Sequence, residues 1–301
     1  FQYGDFDDSK FLKSAVTAVN SQEEEETLEE DRISLKYYDA EDKELSELPR
    51  NAGKYKVMAV YEYDEKEEYK CSWFLGVDEK PVISSKYLCA GIKNSYDEMG
   101  NITETQYLDF DGSLLNVSNY GYARVYRTYN GAGNMETEAY FDAAGAPAVR
   151  KEYGYSMYEN SYNDDGTLRE CRYYDFPEGQ KELTMRRDTG YAIIRYRYDD
   201  NGNCSSRPYF DTEEQPVIST ESHCAEILSK YDDYGNEIET EYLDLDGSVM
   251  NRDDFGFAKV CREYDAKTCK LLKESYFDAE GMPTERKEHG YASYVQSYDE
   301  R

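Results

Sequence analysis

Hydrophobic and polar residues alternate along most of this chain. In Arg195-Tyr196-Arg197-Tyr198 the tyrosines fall on one side of an extended strand and the arginines on the other, the period-two mark of a half-buried β-strand. Asp199-Asp200-Asn201-Gly202-Asn203 follows at once, and these are turn residues that tolerate positive φ. The returning strand is clearest in Ile238-Glu239-Thr240-Glu241-Tyr242, where Ile238, Thr240 and Tyr242 share one face and the glutamates the other. Strand, tight turn and strand predict a β-hairpin. A second turn rich in Asp and Gly closes each hairpin, as in Asp142-Ala143-Ala144-Gly145-Ala146-Pro147. A short polar connector then ends in a Gly-aromatic-small triplet. It is too short for a long helix and reads as a loop or one helical turn.

This pattern repeats. Tyr-Asp or Tyr-Asn pairs recur at Tyr63, Tyr96, Tyr129, Tyr162, Tyr198, Tyr231, Tyr264 and Tyr298, spaced 33 apart except for 36 after Tyr162 and 34 after Tyr264. A second landmark keeps the same register: Tyr107-Leu108-Asp109, Tyr140-Phe141-Asp142, Tyr173-Tyr174-Asp175, Tyr209-Phe210-Asp211, Tyr242-Leu243-Asp244 and Tyr276-Phe277-Asp278. The connector triplet does so too, with its aromatic at Tyr122, Tyr155, Tyr191, Phe257 and Tyr291. A longer period lies on top. Pro81-Val82-Ile83-Ser84 returns as Pro216-Val217-Ile218-Ser219 and Cys89-Ala90 as Cys224-Ala225, an offset of 135 that spans four units. One hairpin cannot bury its own face, so units of this kind stack in series. The expected fold is all-β, an open solenoid-like array of tandem hairpins.

The start of the chain differs. Residues 1–35 form a separate N-terminal segment, with Phe11, Ala15, Val16 and Val19 at helical spacing and a capping residue among Asp7, Asp8 and Ser9, which predicts a short helix within Ser9–Glu30. Residues 36–95 read as degenerate hairpins that have lost their turn glycines, and 96–301 as regular ones. The chain opens on Phe1 and closes on Tyr298-Asp299-Glu300-Arg301, the start of a further unit. This predicts a monomeric piece of a larger protein.

Composition narrows the function. Against 35 Lys and Arg stand 64 Asp and Glu, a net charge of −29. Binding to nucleic-acid phosphates needs the opposite sign, and no apolar run is long enough to insert as a membrane helix. Of the aromatic residues, 33 are tyrosine and one is Trp73. Tyrosine suits half-buried positions, ring packed and hydroxyl wet. The seven cysteines, Cys71, Cys89, Cys171, Cys204, Cys224, Cys261 and Cys269, have long spacings and no CxxC. They read as free thiols rather than a zinc site or a disulfide framework.

Tyr96-Asp97-Glu98-Met99-Gly100-Asn101, Tyr198-Asp199-Asp200-Asn201-Gly202-Asn203 and Tyr231-Asp232-Asp233-Tyr234-Gly235-Asn236 resemble the core of bacterial YD (Rhs-type) repeats. The fuller unit is similar to tyrosine-rich tandem repeats on large surface or secreted proteins of gut Firmicutes. The resemblance covers roughly residues 60–301. Rhs units are shorter and lack the Gly-Tyr-Ala connector. Choline-binding modules are also hairpin arrays, but they rely on tryptophan. The resemblance implies a bacterial, extracellular or cell-surface, non-catalytic segment.

The residues themselves point away from catalysis. The two histidines, His223 and His289, occupy connector positions where other units carry an aromatic or glycine. No Gly-x-Ser-x-Gly, His-Glu-x-x-His or phosphate-binding glycine loop occurs. A glycosidase needs one carboxylate pair in a cleft, whereas a repeat supplies many equivalent carboxylates. No catalytic residue and no cofactor is expected. One metal alternative stands: Asp109, Asp111, Asp244 and Asp246 alternate beside glycine turns, and calcium takes several oxygens from such loops. An ordinary β-turn uses the same residues. The N-x-S/T triplets at Asn101, Asn116 and Asn203 carry little weight in a bacterial chain.

Two functions follow. In the first, the connector tyrosines Tyr122, Tyr155, Tyr191 and Tyr291 face solvent and bind a glycan, cell-wall polymer or protein partner through multivalent contacts. In the second, the same rings wedge between hairpins and the array is a structural spacer or shell supporting an adjacent domain. Exposure of those rings discriminates the two.

Overall fold

The computed structural model describes residues 17–19, 25–27, 59–63, 69–76, 80–176 and 179–299. It is all-β, built of antiparallel hairpins, with no α-helix among the described residues. The expected N-terminal helix is corrected where it can be seen: Thr17–Val19 (β1) pairs antiparallel with Glu25–Thr27 (β2). Val16, Thr17 and Val19 are β-branched, which costs side-chain freedom in a helix and favours extended backbone. The rest of Ser9–Glu30, and residues 28–58 of the expected degenerate repeats, lie outside the described residues.

The chain forms two compact units, Phe1–Arg127 with Phe141–Ala146, and Thr128–Tyr140 with Pro147–Arg301. In the first, Ala59–Tyr63 (β3), Tyr69–Phe74 (β4), Gly91–Tyr96 (β5), Ile102–Leu108 (β6) and the start of Arg124–Tyr129 (β7) pair in chain order. In the second, most of Met135–Phe141 (β8) is followed by Met157–Tyr162 (β9), Leu168–Asp175 (β10), Glu182–Leu183 (β11), Ile193–Arg195 (β12), Arg197–Tyr198 (β13) and Cys204–Phe210 (β14). Glu226–Tyr231 (β15), Glu237–Leu243 (β16), Lys259–Tyr264 (β17), Leu271–Phe277 (β18) and Ser293–Val295 (β19) complete it. Within this unit the strands of each hairpin pair with one another, as β9–β10, β15–β16 and β17–β18 do, and each hairpin hydrogen-bonds to the next, as β10–β12, β14–β15 and β16–β17 do.

Five of the six hairpin turns among the described residues are made the same way. Asp232 N–H donates to Asn236 O at 3.0 Å and Gly235 N–H to Asp232 O at 3.0 Å, while Gly235 sits at φ 81°. This is the three-residue hairpin with a left-handed closing residue and a bulge, and the register slips accordingly between Lys230 and Tyr231. The Asp232 carboxylate caps the turn, accepting from Tyr234 N, Asn236 N and Asn236 Nδ2 at 2.8–2.9 Å. Asp97 and Asp199 do the same. The irregular spacings arise in turns. The turn after Tyr264 is one residue longer, closing from Asp265 N to Lys270 O. After β10, Thr184 N–H reaches back to Tyr173 O, where equivalent bonds run from Ala148 to Tyr140 and from Val217 to Tyr209, three residues shorter.

In five of the Tyr-Asp or Tyr-Asn pairs the tyrosine is a staple. Its hydroxyl donates to the backbone carbonyl that opens the second strand of the preceding hairpin: Tyr162 to Met135 (2.7 Å), Tyr198 to Leu168 (2.8 Å), Tyr231 to Cys204 (3.0 Å), Tyr264 to Glu237 (3.3 Å) and Tyr298 to Leu271 (2.9 Å). Phenylalanine would pack there but leave that carbonyl without its partner. The requirement for a ring and a hydroxyl together explains why tyrosine dominates the composition.

Candidate functional site

The connector is where the unit departs most from a plain hairpin, and it holds the residues expected to bind. Seven connectors close the same backbone ring, in which the first residue donates its N–H to the carbonyl five positions on: Ser84 to Cys89, Val117 to Tyr122, Arg150 to Tyr155, Arg186 to Tyr191, Ser219 to Cys224, Arg252 to Phe257 and Arg286 to Tyr291. The fourth position on needs the left-handed region. Glycine fills it at 121, 154, 190, 256 and 290, and at Gly190 a Cβ would also stand 2.9 Å from Thr220 Cγ2.

The fifth position carries the aromatic, and its ring points inward. Tyr122, Tyr155 and Tyr191 are 5%, 4% and 6% exposed, and Tyr291 is half-buried. These rings alternate with the tyrosines of the second landmark. In the second unit Tyr140, Tyr155, Tyr173, Tyr191 and Tyr209 form one ladder, with centroid separations of 6.0, 4.9, 6.1 and 4.9 Å. Tyr242, Phe257, Tyr276 and Tyr291 form another, at 6.1, 4.7 and 6.1 Å. The first unit repeats the step between Tyr107 and Tyr122 at 5.9 Å. Offset and tilted pairs at these distances attract beyond their burial.

The residue after the aromatic must be small, because its backbone is inserted between successive hairpins. Ala192 donates to Phe210 O and accepts from Tyr173 N, and Ala258 donates to Phe277 O and accepts from Tyr242 N. Both alanines are fully buried. Connector arginines lie over the ladder: Arg186 is 4.8 Å from the Tyr173 centroid and donates to its hydroxyl at 2.9 Å. Arg150 donates to Tyr140 at 3.1 Å, and Arg252 lies 4.7 Å from the Tyr242 ring. Burial raises the phenol pKa of Tyr107, Tyr155, Tyr191 and Tyr242, and burial together with the Glu138 charge raises that of Tyr140. With the rings inside, any ligand contact in these units falls to other groups.

The acidic turns are caps. Asp109 Oδ1 accepts from Phe110 N, and Asp111 Oδ1 from Ser113 N and Oγ at 2.9 and 2.6 Å. Asp244 and Asp246 repeat these bonds with Leu245 and Ser248. The serine hydroxyls hold the Asp111 and Asp246 carboxyls below their ordinary pKa. No group of three or more His, Cys, Asp or Glu is arranged to hold a metal among the described residues. His223 occupies the connector glycine position at φ 52°, and His289 stacks 5.6 Å from the Tyr291 ring. All seven cysteines are free. Cys89 and Cys224 are wholly buried in the slot that the aromatic takes elsewhere, and Cys269 is exposed.

The other sheet face carries ions. Glu170 bridges Arg172 and Arg195 at 2.5 Å each, and Glu214 returns to the same two arginines. Glu239 and Glu241 hold Lys259 at 2.8 and 3.2 Å. Their periodicity is in the sequence, but the pairings needed the strand register to become visible.

No family model matches the chain, and no curated protein matches it. Among solved structures, the chain is similar to a component of the Tc holotoxin pore of Photorhabdus luminescens. The identity is 13% and the TM-score 0.46, over 75% of this chain and 9% of that one. It is also similar to TcdB2–TccC3 without the hypervariable C-terminal region, with 12% identity and a TM-score of 0.37, over 90% of this chain and 14% of that one. The chain thus spans a small fraction of the length of these structures.

Proposed function

We propose that this chain is a non-catalytic scaffold, a spacer or shell segment of a bacterial surface or secreted protein that supports an adjacent domain. The observation that carries this reading is where the repeated residues are spent. Four of the five connector aromatics, Tyr122, Tyr155, Tyr191 and Phe257, are buried between hairpins, and the hydroxyls of Tyr162, Tyr198 and Tyr231 each staple a hairpin to the one before. Residues that recur because stacking requires them need no ligand to explain them. The acidic surface keeps such an array soluble and apart from its copies. The resemblance to YD-type repeats supports the surface or secreted setting.

The test is to replace Tyr155 and Tyr191 by alanine. A scaffold loses stability and has no ligand to lose, and wild-type protein stays blank on glycan and peptidoglycan arrays. Binding that disappears in these variants at unchanged stability would overturn the reading. A second reading, a module for a glycan, cell-wall polymer or protein, is favoured by one observation. Met99, Phe110, Tyr234 and Leu245 are exposed at turn tips and recur in pairs 135 residues apart. Array binding lost on replacing Phe110 and Leu245 would support it.

A further inference from the structure

Not all connectors are equal, and the exceptions fall at the longer period. At Ser84–Cys89 and again at Ser219–Cys224, 135 residues on, three changes occur together. Serine stands where Arg150, Arg186, Arg252 and Arg286 stand, so the cation over the ladder is absent, as it is also in the connector that begins at Val117. Leu88 at φ 55° and His223 at φ 52° occupy the position that glycine fills elsewhere, and side chains there are strained. Cys89 and Cys224 take the aromatic slot and are wholly buried. The consequence is plainest in the second unit. One run of ring contacts ends at Tyr209, the next begins at Tyr242, and among the described residues no ring contact joins those two tyrosines. Cys224 lies between them in the chain. The connector still closes through Ser219 Oγ, which accepts from Glu221 N and Ser222 N, and through Thr220, which is bonded to Asp188 and Thr189 of the preceding connector.

We infer that these connectors are opening joints, one in each compact unit, the places where its hairpins part first. In a linear array, stability is a sum of repeat and neighbour-interface terms. The joint has lost a ring pair and a cation–π contact and gained backbone strain, all in one interface. Local opening follows the weakest interface.

Hydrogen exchange of the whole chain tests this at three matched amides. Tyr173, Tyr209 and Tyr242 each donate their backbone N–H across to the next hairpin, to Ala192, Ala225 and Ala258, at 2.9–3.0 Å, and all are buried. They differ in the connector beside them. The Tyr209 amide should exchange at least ~10-fold faster than both neighbours, a factor worth about 1.4 kcal/mol. The Phe74 amide, bonded to Ala90 O, should likewise outpace that of Tyr107, bonded to Ala123 O, in the first unit. His223→Gly, which relieves the left-handed strain without touching the ladder, should slow the Tyr209 amide several-fold and leave that of Tyr173 unchanged. Equal protection at the three tyrosine amides, or a steady rise toward the C-terminus that marks simple fraying, would overturn the inference. So would a His223→Gly effect spread evenly over all three.

Discussion

Raising the pH attacks the ladder directly. Burial lifts the phenol pKa of Tyr107, Tyr155, Tyr173, Tyr191, Tyr209 and Tyr242 above the ordinary value, that of Tyr209 to about 12. In the unfolded chain they titrate near ~10. Below that pH the phenols are neutral in both states, and the stabilisation of the protonated form is fully present. As pH rises past ~10 the unfolded chain releases protons while the ladder holds them, so stability falls until the folded pKa is passed. A shift of one unit is worth ~1.4 kcal/mol, so Tyr209 alone removes about 3 kcal/mol by pH ~12. Two or three such rings match the ~5–15 kcal/mol by which a domain is stable. The buried thiols of Cys89, Cys171 and Cys224, pushed up to about 11, act in the same direction from pH ~9 upward. Tyrosinate absorbance followed against far-ultraviolet circular dichroism should therefore show two phases. Exposed tyrosines ionise first, without loss of β-signal. The ladder then ionises in one cooperative step that coincides with unfolding, beginning near pH ~11. A single smooth titration of all 33 tyrosines near ~10, with the β-signal intact, would refute the buried ladder.

The remaining predictions concern single positions. Tyr231→Phe, which removes the bond to Cys204 O, should lower stability to denaturant by about 1 kcal/mol, and adding Tyr198→Phe should roughly double the loss. Gly202→Ala meets only the backbone penalty at φ 84°, with nothing within 4 Å of the new Cβ, and should cost about 1–2 kcal/mol. Gly190→Ala adds the approach to Thr220 and should cost clearly more in the same assay; equal losses would count against the close packing of successive connectors. The Asp97, Asp199 and Asp232 carboxyls sit below their ordinary pKa because asparagine two turn positions beyond the tip bonds to them. Their contribution is present above pH ~4 and is lost as pH falls through the folded values. Asn203→Ala and Asn236→Ala should therefore flatten the acid limb of the stability profile, read by denaturant titration at stepped pH.

Much of this architecture was legible in the residues because it is local. Alternation in Ile238–Tyr242 and turn chemistry in Asp199–Asn203 each need only a few consecutive positions, and both appear as β16 and the turn before β14. The repeat supplied the rest by setting a register. What the sequence left open was direction. A connector tyrosine reads the same whether its ring faces water or a neighbour, because the deciding partner lies on another hairpin: Tyr209 for Tyr191, Tyr173 for Tyr155. The role of the Tyr-Asp hydroxyl was hidden for the same reason, since Tyr231 answers to a carbonyl 27 residues back. The N-terminal helix failed where spacing was weighed over branching. Val16 and Val19, two of the four apolar residues at helical intervals, are β-branched, as is Thr17 between them, and β1, Thr17–Val19, follows the preference of such residues for extended backbone.

The four-unit period gains a physical meaning from the same comparison. Duplication alone would copy a block without any reason for its members to differ. Yet Ser84, Leu88 and Cys89 depart together from the pattern of their neighbours, and Ser219, His223 and Cys224 repeat the departure. Leucine and histidine have nothing chemical in common in that slot. They share only a side chain where glycine would be relaxed. Two different residues holding the same strained backbone are better explained by tolerance of a weak interface than by a shared ligand. Within the second unit, extension under force should therefore part the hairpins first at Ser219–Cys224. First release at another connector would mean that this joint carries no less than its neighbours.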